Sequence, residues 1–198
     1  MMKSVLITIR PQWVEKICHK IGEDETGKAI YEKRIEVRKS APQEVPFKCY
    51  IYETKGQYVK FTHGAHTKYG YGRGKVIGEF ICDKVYSIKN RGSSFSVADE
   101  EQSVTNEIAR QSCLYYDDMV SYFGNKDGFG WHISNLTLYD KPKELSEFCI
   151  PCKVSCENCK NPLYFECWCE EKGKKIVTRP PQSWCYVEDL GEAKWNLN

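Results

Sequence analysis

The chain is 198 residues long, with 41% hydrophobic and 28% charged residues, which is a globular composition and not a disordered one. A formal net charge of +2 argues neither for nor against nucleic acid. No stretch approaches the roughly 18 apolar residues of a membrane span, and Met1–Ile9 lacks a long apolar core and a small-residue cleavage site, so no membrane partner and a cytoplasmic location are expected.

Val5, Ile7 and Ile9 alternate with Leu6 and Thr8, which predicts a first strand that is buried or nearly so. Pro11 sits where a helix can start, and Trp13, Val14, Ile17 and Cys18 recur at helical spacing, giving a short helix from about Pro11 to Lys20. Gly22–Gly27 reads as a solvated loop. Strands follow at Arg34–Arg38 and Phe47–Tyr52, then an extended hairpin between Gly56 and Gly74, then one strong strand over Lys75–Val85. Residues 92–98 are rich in Gly and Ser, and helices are expected around Asp99–Ser112 and Tyr115–Phe123. Gly128–Tyr139 returns to strand, with Trp131, Ile133, Leu136 and Leu138 as its buried set, and Ser183–Val187 is the last strand. This order describes an α+β chain with mostly antiparallel pairing, compatible with a small closed barrel.

Six of the eleven cysteines crowd into Cys149-x2-Cys152-x3-Cys156-x2-Cys159-x7-Cys167-x-Cys169. Zn²⁺ takes four soft or imidazole ligands in a tetrahedron, and cysteines paired two to four apart form the halves of such a cage. Six exceed four, so one zinc with two spare thiols is expected. Cys156/Cys159 with Cys167/Cys169 is one possible set, and Cys149/Cys152 could replace either pair. The role is structural, because the block has little apolar core and no His or carboxylate ligand in the usual spacing; disulfides or free thiols are the alternative. The domain division is then 1–148 with 176–198 as the barrel and 149–175 as the insert. Cys18, Cys49, Cys82, Cys113 and Cys185 read as small core fillers, and His63 and His66 as residues of an exposed loop.

Charge is uneven along the chain. Residues 1–91 hold 18 Lys and Arg against 10 Asp and Glu, whereas residues 92–198 hold 11 against 17. A basic half points modestly to a phosphate-bearing partner. Its densest stretch is Lys33-Arg34-Ile35-Glu36-Val37-Arg38-Lys39. Strand alternation puts Arg34, Glu36 and Arg38 on one face and Lys33, Ile35, Val37 and Lys39 on the other. This is either a self-neutralised edge ladder or the floor of a cleft whose guanidiniums bind phosphate and whose Glu36 orients them or accepts from a base edge.

These residues, with Ile9–Ile17, Gly74–Phe80, Gly130–Ile133 and Arg179–Val187, resemble the ASCH domains of the PUA-like superfamily, in particular phage and prophage-type members. The resemblance covers most of the chain except about Gly22–Tyr31 and Gly56–Gly72. It implies a PUA-like β-barrel flanked by helices, with a cleft beside the first helix, and relatives that bind RNA or modified bases. Some small relatives hydrolyse N4-acetylcytidine with a Lys, a Thr and a Glu, and another is associated with ribonuclease activity. Lys33 matches the lysine by motif position, Glu36 stands where the threonine is, and the third position falls near Gln111. With that nucleophile replaced, Lys33 and Glu36 remain only as a candidate acid–base pair.

The binding candidates are accordingly Arg10, Gln12, Lys33, Arg34, Glu36, Arg38 and Lys39. Tyr69, Tyr71 and Arg73 join them from a hairpin that interleaves aromatic and cationic residues, as single-stranded nucleic-acid surfaces do. Binding of RNA, single-stranded nucleic acid or a modified nucleotide is the leading expectation. An amidohydrolase or ribonuclease is the enzymatic alternative, and an adaptor capturing a protein partner through the zinc insert is the third.

Overall fold

A computed structural model describes residues 3–63, 66–92, 94–151 and 176–190. Strand β1 (Lys3–Ile9) leads into helix α1 (Pro11–Cys18), which starts where Pro11 presets the helical φ. The hairpin β2 (Lys20–Glu23) and β3 (Ala29–Tyr31) follows, then β4 (Ile35–Arg38) and β5 (Phe47–Glu53). A second hairpin, β6 (Gly56–His63) and β7 (His66–Gly72), precedes β8 (Lys75–Cys82), β9 (Val85–Asn90) and β10 (Phe95–Val97). Helices α2 (Gln102–Ser112) and α3 (Tyr116–Phe123) are followed by β11 (Gly128–His132), β12 (Ser134–Lys143) and the closing β13 (Trp184–Val187). No helix among the described residues is long and apolar enough to cross a membrane.

The strands form a five-stranded sheet in the order β12-β8-β5-β1-β13 and a four-stranded sheet in the order β10-β9-β11-β4, with the two hairpins paired by themselves. Pairing is antiparallel except between β1 and β5, which run parallel. The expected closed barrel is not what this pairing gives: among the described residues no ladder joins the two sheets into a ring. They are joined instead by chain segments that turn a corner. Lys75–Val85 and Gly128–Tyr139 each read as one strand, yet each passes from one sheet to the other, at Asp83-Lys84 and at Ile133. The two corners are tied together, because His132 N donates to Lys84 O (2.9 Å) and His132 Nδ1 lies 2.6 Å from Asp83 Oδ1. The corner explains Leu138 as well: predicted buried, it is 42% exposed, because β12 continues past the bend along an outer edge.

Three apolar layers hold this arrangement. Val5, Ile7 and Ile9 of β1 face Val14 and Ile17 of α1 together with Phe47, Ile51, Phe80 and Trp131. Leu6, one residue out of phase, joins Tyr50, Val76, Phe148 and Val177 on the opposite side. Strand β5 is buried along its whole length because both faces are covered. Ile35 and Val37 turn to the third layer, with Ile88, Ile108, Met119 and Phe123 under α2 and α3. Alternation along β4 therefore sends Glu36 and Arg38 the other way, towards β1 and α1.

Residues 152–175 lie outside the described residues, and with them Cys152, Cys156, Cys159, Cys167 and Cys169 of the expected zinc cage. The two ends of that segment are next to each other: Val177 N donates to Phe148 O (2.8 Å), and Cys149 and Ile176 form an isolated antiparallel bridge.

Candidate functional site

Where β1 ends and α1 begins, β4 and α3 border a cleft of about 500 Å³. Arg10 and Trp13 come from the entrance to α1, Lys33, Glu36 and Arg38 from the β4 segment, Asp118 and Tyr122 from α3, and Gln182 from the turn before β13.

Its floor is a buried row of charges. Lys33 is 2% exposed, Glu36 5% and Arg38 8%. Alternation had put Lys33 and Glu36 on opposite faces, but the ladder begins only at Ile35. Lys33 and Arg34 lie before it, their amides bonded to Lys16 O and Gln111 O, so strand phase does not govern them. Lys33 Nζ folds back, donates to Ile35 O (2.8 Å) and Ser112 O (2.6 Å), and lies 3.4 Å from Glu36 Oε2. Its cation also lies 5.5 Å from the centre of the Trp13 ring. Arg38 Nη2 pairs with Glu36 Oε1 at 2.8 Å and donates to Thr8 O at 2.8 Å. Burial pushes the Lys33 amine below its usual pKa, and the neighbouring Glu36 carboxylate opposes that fall.

Two cations share one carboxylate here, and their capacity is not spent. Glu36 Oε2 and Arg38 Nε are both buried without a hydrogen-bond partner among the described residues. Lys33 Nζ lies 3.4 Å from Oε2, an ion pair longer than the two hydrogen bonds it donates to carbonyls. Leaving such an atom unpaired costs about 1–3 kcal/mol, a cost that a guest with a matching donor or acceptor removes.

The other expected site residues fall at different places. Arg10 is exposed at the cleft mouth, whereas Gln12 points elsewhere on the same turn and does not line it. Arg34 Nη2 lies 3.5 Å from Glu107 and borders a second hollow of about 300 Å³ behind the strand, with Lys28 and His132. Lys39 lies beside the cleft, its ammonium 5.2 Å from the centre of the Tyr122 ring. Tyr69 and Tyr71 are exposed on β7, and Arg73 Nε lies 3.8 Å from Glu53 just beyond that strand. None of these four lines the cleft. Trp13 packs against the main core and also forms part of the wall. Asp118 and Tyr122 were not foreseen, although Asp118, Ser121 and Tyr122 recur at the three-and-four spacing of one helix face.

No family model matches the chain, and no curated protein matches it. Among solved structures it is similar to the crystal structure of ASCH from Zymomonas mobilis, at 14% identity with a TM-score of 0.49, over 94% of this chain and 89% of that one. Two point mutants of the same Zymomonas mobilis protein match at 14% identity with a TM-score of 0.48, over 95% of this chain and 92% or 90% of theirs.

Proposed function

We propose that the cleft over Lys33, Glu36 and Arg38 binds one nucleotide unit of RNA or of another single-stranded or modified nucleic acid. The observation that carries this reading is the pair of unspent buried atoms, Glu36 Oε2 and Arg38 Nε, on the floor of a cleft large enough for a nucleotide. A carboxylate oxygen accepts from an amino group of a base, and a guanidinium nitrogen donates to a ring nitrogen, a carbonyl or a phosphate. Trp13 and Tyr122 supply planar walls, and exposed Arg10 supplies a cation at the mouth. The resemblance of the Lys33–Lys39 segment to ASCH domains supports the same substrate class. Lys33 is held by two carbonyls and a carboxylate, which suits a fixed charge on the floor of a binding site.

Titration calorimetry with the four ribonucleoside monophosphates, and with a single-stranded oligoribonucleotide, tests the proposal. Binding that falls at least tenfold in Arg38→Ala supports it, about the contribution of a charged hydrogen bond. Absence of binding to every one of these probes, or affinity indifferent to Arg38, would falsify it.

We also propose that the cysteine segment holds one structural zinc through four of Cys149, Cys152, Cys156, Cys159, Cys167 and Cys169. The spacing supports this, and so does the closed neck at Phe148–Val177, which makes the segment separable from the sheets. Elemental analysis of the purified protein should give one zinc per chain. Replacing residues 152–175 by a short Gly/Ser linker should abolish the metal and leave the melting temperature of the remainder within a few degrees.

A further inference from the structure

Two carboxylates line the cleft, and only one of them is neutralised. Glu36 lies 3.4 Å from the Lys33 ammonium and 2.8 Å from the Arg38 guanidinium. Asp118, on the wall that α3 supplies, makes no ion pair among the described residues. Its Oδ2 accepts from the Tyr115 amide at 3.0 Å, which turns the side chain back over the start of the helix. The cap uses one oxygen. Oδ1 has no hydrogen-bond partner among the described residues, and Asp118 is exposed. Met119 and Phe123 of the same helix are buried against Ile35 and Val37, so α3 is pinned to β4 and the carboxylate is held beside the floor.

We infer that Asp118 Oδ1 accepts a hydrogen bond from the ribose 2′-hydroxyl of the bound nucleotide, so that the cleft selects ribonucleotides over deoxyribonucleotides. The inference rests on the proposed function and narrows it to RNA. A carboxylate without a cation beside it repels a phosphate, so the phosphate does not lie against α3. It lies towards Arg10, the exposed cation that lines the cleft from the entrance to α1. The part of the guest next to Asp118 is then uncharged, and it is a donor, because a carboxylate only accepts. A nucleotide has two kinds of uncharged donor, the N–H groups of its base and the hydroxyls of its sugar. The base already has an acceptor in Glu36 Oε2, which is buried and unpaired on the floor, as is the donor Arg38 Nε. The sugar joins base to phosphate, and its hydroxyls take the acceptor that remains. Within a strand the 3′-oxygen is esterified, which leaves the 2′-hydroxyl as the sugar's donor. That hydroxyl is the group by which a protein tells RNA from DNA at one site, and a carboxylate is the usual partner of ribose hydroxyls in dinucleotide sites.

The test is titration calorimetry of the four ribonucleoside monophosphates and their 2′-deoxy counterparts on the wild type, on Asp118→Ala and on Arg38→Ala. The wild type should bind its preferred ribonucleotide about tenfold more tightly than the deoxy form, the contribution of a charged hydrogen bond. Asp118→Ala should bring that ratio to within about twofold. The variant also loses a helix cap, but a change in stability acts on both ligands alike and leaves the ratio within one variant unmoved. A 2′-O-methyl ribonucleotide, which keeps the oxygen and lacks the proton, gives a second measurement on the unaltered protein and should bind no better than the deoxy form. A wild-type ratio within about twofold, while Arg38→Ala still weakens both nucleotides, overturns the ribose assignment and leaves the cleft reading standing. A tenfold ratio that survives in Asp118→Ala, or a 2′-O-methyl form that binds as tightly as the ribonucleotide, overturns the assignment as well. Absence of binding to every probe overturns the cleft reading and the inference together.

Discussion

Lys33 directs its ammonium at Ile35 O, Ser112 O and the Glu36 carboxylate, and only 2% of it meets water. Removing the charge leaves two carbonyls and part of a carboxylate without partners in a dry place. Lys33→Met should therefore lower the free energy of unfolding by about 3 kcal/mol, read from urea denaturation. Arg10→Ala should change it by less than about 0.5 kcal/mol, because the guanidinium is exposed. The same variant should reduce the salt slope of oligoribonucleotide binding by about one, as loss of one phosphate contact does. The charged residues were legible in the sequence as a cluster. Their grouping was not: strand alternation separates Lys33 from Glu36, and the structure joins them because Lys33 precedes the ladder and is free of its phase.

Elements were most legible where periodicity is undisturbed. Helices α1, α2 and α3 and strands β1, β5 and β13 fall close to their expected places, and the Gly56–Gly74 hairpin pairs as expected. The expected loop at Gly22–Gly27 is instead flanked by the paired strands β2 and β3, and β10 lies within the Gly/Ser-rich 92–98 stretch, both too short to carry an alternation signal. Gly72 shows how an element is positioned by the absence of a side chain: a Cβ there would overlap backbone at Thr54 and the Pro11 ring. Gly72→Ala should cost about 2 kcal/mol and loosen the hairpin, visible as faster amide exchange in β6 and β7. Gly22→Ala, with nothing within 4 Å of the added methyl, should be close to neutral.

At the scale of the molecule, burial shifts many weak acids in one direction. Cys82 is pushed up from 9.0 to about 12, Cys18 to about 11 and Tyr58 from 10.0 to about 12, each chiefly by loss of hydration, and Cys49, Tyr50 and Tyr139 also rise. Above about pH 9 the unfolded chain releases these protons while the folded chain keeps them, so stability falls as pH rises. Lys33, lowered from 10.5, acts in the opposite sense, because there the unfolded chain binds the extra proton, but it is one amine against these six acids and Tyr52, Cys113 and Cys185, which burial raises as well. The urea midpoint should drop between about pH 9 and 11, and the drop should be smaller in Cys82→Ala. The sequence by itself determined the α+β class, most of the elements, the identity of the charged segment and the separate cysteine-rich stretch, because these follow from local periodicity and spacing. Only the tertiary structure decided that two long runs bend at a shared corner into different sheets, that Lys33 joins Glu36 and Arg38 while Arg34 turns away, and that α3 completes the cleft. Those outcomes depend on which distant backbone atoms pair, and chain-local patterns carry no record of such pairings.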